Sequence, residues 1–250
     1  MNEQIASEKR EDIKQISLID PTWKGIYKIG GLSLLLAGVL YLLGSTLGFY
    51  LGATPGDNLV YLEALANQPT LADVTYWIFA LADIFLLFGT LGLYHALREI
   101  HKSAMLVAAG LLGIFIVLDL GITELNSLAL IALTRNIATA ASDAQSGAAY
   151  QAAAYWGLAT IPIATFFSWV GPSCGFLIAS IVMRKSFFGK PTARFGMIVF
   201  FLGIIAGFYF LYPITVLALF LTPVLVVYGV WLIAVGRRLY RLGKRMDELD

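Results

Sequence analysis

The stretch VTYWIFALADIFLLFGTLGLYHAL at residues 74–97 is followed by the polar REIHKS at 98–103 and by AMLVAAGLLGIFIVLDLGITEL at 104–125. Each apolar segment has the roughly 20 residues that an α-helix needs to cross a hydrocarbon layer. The six residues between them include Arg98 and Lys102, whose charges are costly to bury in lipid. The stretch therefore predicts two consecutive transmembrane helices joined by a short polar turn.

Four further apolar segments lie on either side, at 29–51, 155–183, 195–211 and 214–235. Hydrophobic residues make up 59% of the 250-residue chain and charged residues 13%, against about 45–50% and 25% in soluble domains. Continuous apolar runs are typical of helices rather than of the short alternating strands of an outer-membrane barrel. The sequence predicts an all-α fold, a polytopic membrane protein whose six transmembrane helices form a bundle over residues 29–236.

Basic residues alternate between the connections of these six segments. They occur in the N-terminal tail 1–28, in the turn 98–103, in the loop 184–194 and in the basic C-terminal tail 237–250. All Lys and Arg residues except Arg135 thus fall on one side, and such residues are retained in the cytoplasm. We expect a multi-pass protein of the cell membrane with both termini cytoplasmic, whose first helix serves as its own insertion signal.

Composition also argues against several classes of partner. The 17 basic and 16 acidic residues balance, whereas nucleic-acid-binding domains are usually strongly basic. Cys174 is the only cysteine, and His95 and His101 are the only histidines, so a cysteine- or histidine-built metal centre is not expected. We expect no metal, no cofactor and no nucleic-acid partner.

Carboxyl groups within the apolar segments are the first candidates for function. Asp83 and Asp119 fall in the outer half of the second and third helices, whereas Glu124 is close enough to the boundary to reach water. Helical spacing places two polar stripes beside them, and residues three, four or seven apart share a face. The candidate ligand- or proton-binding residues are Asp83, Asp119, Tyr76, Thr90, Tyr94, Thr123 and Asn126. The alternative is that these groups only hold adjacent helices together.

A second cluster lies in the fourth segment, where Gly171-Pro172-Ser173-Cys174-Gly175 follows Pro162. Proline lacks a backbone donor, so Pro162, Gly171 with Pro172, and Pro223 in the sixth segment are predicted to kink their helices. The five residues match the G-x-S-x-G pattern of serine hydrolases, but no histidine follows His101 to serve as a base. The two aspartates also lack the glycine-aspartate signature of intramembrane aspartyl proteases, so neither pattern supports an enzyme.

Local signals mark the outer connections. Thr70 and Asp73 are predicted to form a capping box, and Ser142 with Asp143 to begin a helix. The region 126–154 is expected either to rise above the outer surface as a helical hairpin or to lie on it. Glycines four residues apart, at 44, 48 and 52 and at 203 and 207, favour close packing of helices, within the chain or in a homodimer.

The carboxy-terminal part, residues 168–243, resembles a group of uncharacterised six-helix membrane proteins of bacteria and archaea, known only as a domain of unknown function. The resemblance lies in Gly-Phe-Leu at 175–177, the basic loop 184–194 with Pro191, the Pro223 helix and the exit at 231–238. It implies six spans and no assigned activity, and it transfers no functional residue.

Three functions remain open from the sequence. One is binding or transport of a small ligand or proton through a polar seam between the second and third helices. A second is a non-catalytic interaction or regulatory subunit, with the lipid bilayer and a homo-oligomer or membrane partner around it. A membrane enzyme is the third, and it requires a catalytic group, with Ser173 as the residue to test.

Overall fold

The computed structural model describes residues 20–52, 58–139 and 144–248, and all the regular secondary structure in these ranges is helical. The helices are α1 Lys24–Leu51, α2 Asn58–Asn67, α3 Pro69–Leu118, α4 Leu125–Thr139, α5 Ala144–Met183, α6 Lys190–Gly207 and α7 Thr215–Asp247. A π-helical turn, Asp119–Glu124, joins α3 to α4, and short 3-10 turns precede α1 and follow α6. The prediction of an all-α fold is confirmed over these ranges.

Five helical stretches are long and apolar enough to cross a membrane, and they are Pro21–Leu51, Pro69–Arg135, Gln151–Met183, Lys190–Phe210 and Leu219–Asp247. Their outward faces are apolar too: Val117 is 71% exposed and Ile198 62%. A soluble protein rarely exposes large contiguous apolar patches. These helices are those of a membrane-embedded, multi-pass protein.

The stretch Pro69–Arg135 contains a reversal of the chain. A straight helix of its 67 residues would be about 100 Å long, some three times the thickness of the hydrocarbon layer. His101 has non-helical dihedrals (φ −156°, ψ 83°), and its Nδ1 accepts a hydrogen bond from the N–H of Ala104, 3.2 Å away. Asp83 and Asp119, equally far before and after His101, lie against each other. Residues 69–100 and 102–118 are therefore two arms of a hairpin, and His101 caps the second arm.

Helix α1 packs between the first arm of α3 and α7. A Cβ on Gly30 would lie 2.8 Å from the Cα of Gly92, and one on Gly38 would lie 2.7 Å from the carbonyl oxygen of Gly229. Side chains at these positions would hold the backbones apart. Gly44, Gly203 and Gly207 similarly face Phe79, Ser173 and Val170 of the same chain. Gly44, Gly203 and Gly207 are thus used for packing within the chain, whereas a Cβ on Gly48 would meet only Thr75 Cγ2, at 4.0 Å, and one on Gly52 no atom within 4 Å.

The described Lys and Arg residues, with the exception of Arg135, gather at one end of this bundle. Gly92 of α3 lies against Gly30 of α1, and the Arg238 guanidinium of α7 lies over Gly189 before α6, so these helix ends are neighbours. We call this the basic end, and it comprises Lys24, Lys28, Arg98, Lys102, Arg184, Lys185, Lys190, Arg194, Arg237, Arg238, Arg241, Lys244 and Arg245.

An aromatic core closes the middle of the bundle between α5, α6 and α7. Phe176 stacks on Phe200 with ring centroids 5.1 Å apart, and the ring of Trp231 meets that of Phe200 edge-on at 4.8 Å. The indole N–H of Trp231 donates to the carbonyl oxygen of Thr192 at 3.2 Å. All three rings are buried, so the basic end is separated from the opposite end by a packed layer.

Two expectations for the end opposite the basic end have clear outcomes. The capping box at Thr70 is wrong, because α3 begins at Pro69 after Gln68, and Asp73 pairs with Arg135 instead. The region 126–154 contains two neighbouring helices, α4 and the start of α5, whose contact includes a hydrogen bond from Asn126 Nδ2 to the carbonyl oxygen of Gly157. The helix start predicted at Ser142 and Asp143 lies outside the described residues.

Candidate functional site

A cavity of about 540 Å³ lies inside the bundle at the end opposite the basic end. Its lining comes from α1, both arms of α3, the π-helical turn, α5, α6 and α7, and from the 3-10 turn after α6. Phe49 and Leu219 line it while being 72% and 71% exposed on the surface, so the cavity is open to the outside. The layer around Phe200 forms its floor.

The π-helical turn brings two carboxyl groups into this cavity. The N–H of Leu125 donates to the carbonyl oxygen of Leu120, five residues earlier, which widens the turn between Asp119 and Glu124. Asp119, Thr123 and Glu124 all line the cavity. The expectation that Glu124 reaches water at the boundary is wrong, because its side chain is only 5% exposed. Its Oε2 is buried and has no hydrogen-bond partner among the described residues.

Asp83 and Asp119 form a pair of carboxyl groups that lie against each other. The Tyr41 hydroxyl donates to Asp83 Oδ1, and the hydroxyls of Ser168 and Thr123 lie beside Asp119. Asp83 is fully buried, and its Oδ2 receives no N–H or O–H donor from the described residues. Two adjacent carboxylates repel each other strongly in a medium of low dielectric constant, and a proton on one of them removes the repulsion and lets the two groups form a hydrogen bond. The arrangement therefore has a place for one shared proton.

Asp119 is the member of this pair that a ligand can reach. Its side chain is half-buried because one side faces the cavity, whereas Asp83 lies behind it. The hydroxyls of Thr123 and Ser168, both beside Asp119, are hydrogen-bonded to each other at 3.0 Å. A molecule in the cavity thus contacts Asp119 directly and Asp83 only through Asp119.

The remaining walls are aromatic and hydroxyl-bearing. The rings of Tyr41 and Tyr228 meet edge-on with centroids 5.1 Å apart, and the Tyr228 hydroxyl is buried without a partner in the described chain. The other aromatic residues of the lining are Phe49, Tyr76, Phe79, Phe115, Trp169, Phe200 and Phe210. The Ser and Thr residues are Ser45, Thr75, Thr123, Thr165, Ser168, Ser173 and Thr222. Among the described residues that line the cavity there is no Lys, Arg or His.

Two of the predicted kink residues add backbone polarity to the walls. Helices α5 and α7 continue through Pro162, Pro172 and Pro223. Pro172 and Pro223 have no N–H to donate to the carbonyl groups of Ser168 and Leu219, four residues earlier, and both of these residues line the cavity. Pro162 and Gly171 are not part of the lining, and bending at these positions stays a prediction.

The predicted polar stripes separate into two parts. Tyr76, Asp119 and Thr123 line the cavity and Asp83 lies directly behind it. Thr90 and Tyr94 lie nearer the basic end: Thr90 is buried, and Tyr94 packs edge-on against His95 with ring centroids 5.3 Å apart. Asn126 is used between helices, since its Nδ2 donates to Gly157 and to Thr160 Oγ1.

Several lining residues were not expected from the sequence. Tyr41 and Tyr228 lie in the middle of α1 and α7, within the apolar runs LYL and VYG. A tyrosine hydroxyl at such a depth needs a partner, and this is the signal that could have identified them. Ser168 and Glu124 had no comparable signal, because their positions depend on the course of α5 and on the π-helical turn.

Together, the fold and the site define a class: a helical, multi-pass membrane protein with an internal cavity lined by carboxyl, hydroxyl and aromatic side chains. Comparisons of the chain with family models, with curated proteins and with solved structures find no match. Among the described residues no group of three or more His, Cys, Asp or Glu side chains is arranged to hold a metal ion.

Proposed function

We propose that the protein crosses the membrane six times with both termini in the cytoplasm. The reversal at His101 divides one of the five apolar stretches into two arms, which gives six helices. An even number of crossings leaves both chain ends on one side, and basic residues favour the cytoplasmic side. In this orientation the basic end faces the cytoplasm and the cavity opens in the outer half of the membrane.

Within this topology, the cavity binds a small ligand, and the Asp83–Asp119 pair exchanges a proton as the ligand enters or leaves. The observation that carries the proposal is a pair of adjacent carboxyl groups, one of which, Asp119, faces an open cavity of about 540 Å³. Ligand pockets of this type are mostly apolar with a few convergent polar groups, and they fall between about 300 and 1,000 Å³.

A purely structural role does not explain why carboxyl groups occupy these positions. Insertion of an aspartate at the middle of a membrane helix costs about 2.5–3.5 kcal/mol, so a neutral polar residue would join two helices at a lower cost. Asn126 shows what a joining residue looks like, because its amide bonds to Gly157 and Thr160 on the neighbouring helix. Asp119 instead faces open space, and Glu124 beside it keeps a buried oxygen without a partner.

Transport requires a second opening towards the basic end. The stacked rings of Phe176, Phe200 and Trp231 close that route in this conformation. The carbonyl groups released by Pro172 and Pro223 mark the places where α5 and α7 have fewer backbone hydrogen bonds to restrain bending. An inward-open state would separate these helices at the aromatic layer.

Labelling with dicyclohexylcarbodiimide, an apolar reagent that modifies protonated carboxyl groups, tests both parts of the proposal. Wild-type protein in lipid nanodiscs should form an adduct on Asp119 or Glu124, located by peptide mass spectrometry. Gly48→Leu should prevent it by filling the cavity, since Gly48 lines the cavity and a Cβ there meets only Thr75 Cγ2, at 4.0 Å.

Gly110→Leu is the matched control, because Gly110 is exposed and a Cβ there meets no atom within 4 Å. It should leave the labelling unchanged. No adduct in the wild type, or equal labelling in Gly48→Leu, would contradict the proposed function and would favour a non-catalytic interaction subunit.

A further inference from the structure

We propose that the ligand is an amphipathic organic cation, a small molecule that carries one amine or quaternary ammonium group on an apolar, largely aromatic body. This inference rests on the proposed function, because it assigns a chemical class to the ligand of the same cavity. It is carried by the charge of the lining, by the arrangement of its rings and by the oxygens without partners.

The charges of the cavity are of one sign. Asp119 and Glu124 line it and Asp83 lies behind Asp119, while no Lys, Arg or His is present among the described lining residues. An anionic ligand would meet these carboxyl groups without a counter-charge in a medium of low dielectric constant, where such an encounter is strongly unfavourable. A cation gains from the same arrangement.

Aromatic rings stand beside the carboxyl pair. The rings of Phe79, Tyr41 and Tyr228 form a continuous series with centroids 6.1 and 5.1 Å apart, and all three line the cavity. Ammonium groups within about 6 Å of a ring face are attracted by its quadrupole, most strongly when the site excludes water. Apolar parts of the ligand would contact Phe115, Trp169 and Phe200 on the other walls.

Glu124 provides a second, independent indication of a ligand. Its side chain is 95% buried, its Oε2 accepts no hydrogen bond from the described residues, and it faces the cavity. A protonated amine in the cavity would supply that donor once the Glu124 side chain turns towards it, whereas a quaternary ammonium group would contribute its charge alone. A bare metal ion fits less well, since a cavity of about 540 Å³ with nine aromatic side chains cannot surround an ion with the six or so close oxygen ligands that hard cations need.

Charge balance links the cation to the shared proton. The groups that face the Asp83–Asp119 pair are Tyr41 from α1, Tyr228 from α7 and Glu124 from the π-helical turn, and none of them carries a positive charge. When a cation approaches Asp119, the proton between the two carboxyl groups becomes superfluous and leaves for the solvent. The bound cation then takes the place of the proton as the positive charge beside the pair. Because the cation and the proton compete, cation binding should weaken as the solution is acidified.

Tetraphenylphosphonium is the probe for this class. Its charge is permanent and it has no titratable proton, so any pH dependence of its binding arises in the protein. Isothermal titration calorimetry on the purified full chain in a nonionic detergent should detect one saturable site. The site should release a proton, visible as a dependence of the heat on the ionisation enthalpy of the buffer. Tetraphenylborate, which has the same shape and the opposite charge, should show no saturable binding.

Single substitutions test whether tetraphenylphosphonium binds in this cavity. Asp119→Asn and Glu124→Gln should each weaken tetraphenylphosphonium binding by about tenfold or more through loss of a buried counter-charge. Gly48→Leu should abolish it. Glu63→Gln, at an exposed carboxylate beyond the cavity, and Gly110→Leu should bind as the wild type does. Size-exclusion profiles confirm folding, and if Asp119→Asn does not fold, Glu124→Gln and Gly48→Leu decide the outcome.

The possible failures are distinguishable. If tetraphenylborate binds and Gly48→Leu abolishes its binding, the cavity is a ligand site but the class is wrong. If neither ion binds while dicyclohexylcarbodiimide still labels Asp119 or Glu124, the proposed function stands and this inference fails. Equal tetraphenylphosphonium binding by the wild type and both carboxyl variants also overturns it.

Discussion

Charged side chains at the two ends of the bundle differ in whether they have partners. At the basic end, Asp20 accepts from the N–H of Thr22 at 3.0 Å and lies 3.8 Å from Arg98, whose guanidinium sits 5.5 Å from the centre of the Trp23 ring. Lys28 is paired with Asp247. At the cavity end, Asp83 and Glu124 each have a buried carboxyl oxygen without a partner in the described chain.

The two ends therefore differ in whether their charged groups are paired within the protein or left without a partner. Some neutral groups nearer the basic end are also buried without partners, namely Thr90, His95 and Ser180, but an unpaired neutral group costs far less than an unpaired charge. Every described carboxyl oxygen in this condition belongs to the site around the cavity. In the proposed function, the basic end anchors and orients the protein, while the cavity end keeps groups available for a ligand and a proton.

The largest expected effect comes from one substitution made at two places on α1. A Cβ on Gly31, at the basic end, would lie 2.8 Å from the carbonyl oxygen of Gly236, whereas one on Gly48 meets only Thr75, at 4.0 Å. Gly31→Leu should therefore destabilise the protein by about 3 kcal/mol or more. Gly48→Leu should change stability little. Thermal unfolding in detergent measures both, and equal losses would remove the distinction between the packed end and the open end.

A smaller effect is expected from two tyrosines in the cavity. Tyr41→Phe removes the hydroxyl that donates to Asp83 and leaves a buried carboxyl oxygen unpaired, at a cost of about 1–3 kcal/mol. Tyr228→Phe removes a hydroxyl that has no partner in the described chain, so it should be neutral or slightly stabilising. The two variants are compared by their unfolding temperatures. A reversed order would contradict the hydrogen bond between Tyr41 and Asp83.

The smallest expected effect is on the pH dependence of stability, and it concerns Asp20 at the basic end. The hydrogen bonds from Thr22, assisted by the charge of Arg98, hold the pKa of Asp20 below its ordinary value of 3.8. A lowered pKa in the folded state means that Asp20 adds stability above pH 3.8 and that this contribution disappears as the pH falls through the lowered value. The difference in unfolding temperature between the wild type and Asp20→Asn should be small near neutral pH and should vanish in acid. A difference that grows in acid would contradict this sign.

Much of the fold follows from the sequence because lipid imposes simple rules. Apolar length identifies the helices, and the polar turn at 98–103 contains the reversal at His101. Asp83 and Asp119 could be placed at similar depths on consecutive helices by counting residues. Whether they touch could not be derived, since contact depends on the rotation of each helix about its axis.

The rest of the site depends on features that hydropathy does not encode. Spacing rules for an α-helix place Asp119 with Thr123 and Asn126, but the π-helical turn adds a residue and directs Glu124 inward while Asn126 contacts α5. Tyr41 and Tyr228 meet only because glycines let α1 and α7 approach closely. These contacts join distant parts of the chain, and no local pattern specifies them.

The central claim is that the Asp83–Asp119 pair holds a proton beside the cavity. Infrared spectroscopy of the protein in lipid nanodiscs detects the carbonyl stretching band of protonated carboxyl groups directly. We predict such a band near neutral pH in the wild type and, in Asp119→Asn, the loss of the part of the band that arises from this pair, because the asparagine amide can donate to Asp83 without a proton. A wild-type spectrum without the band, or a band of unchanged intensity in Asp119→Asn, would contradict the account.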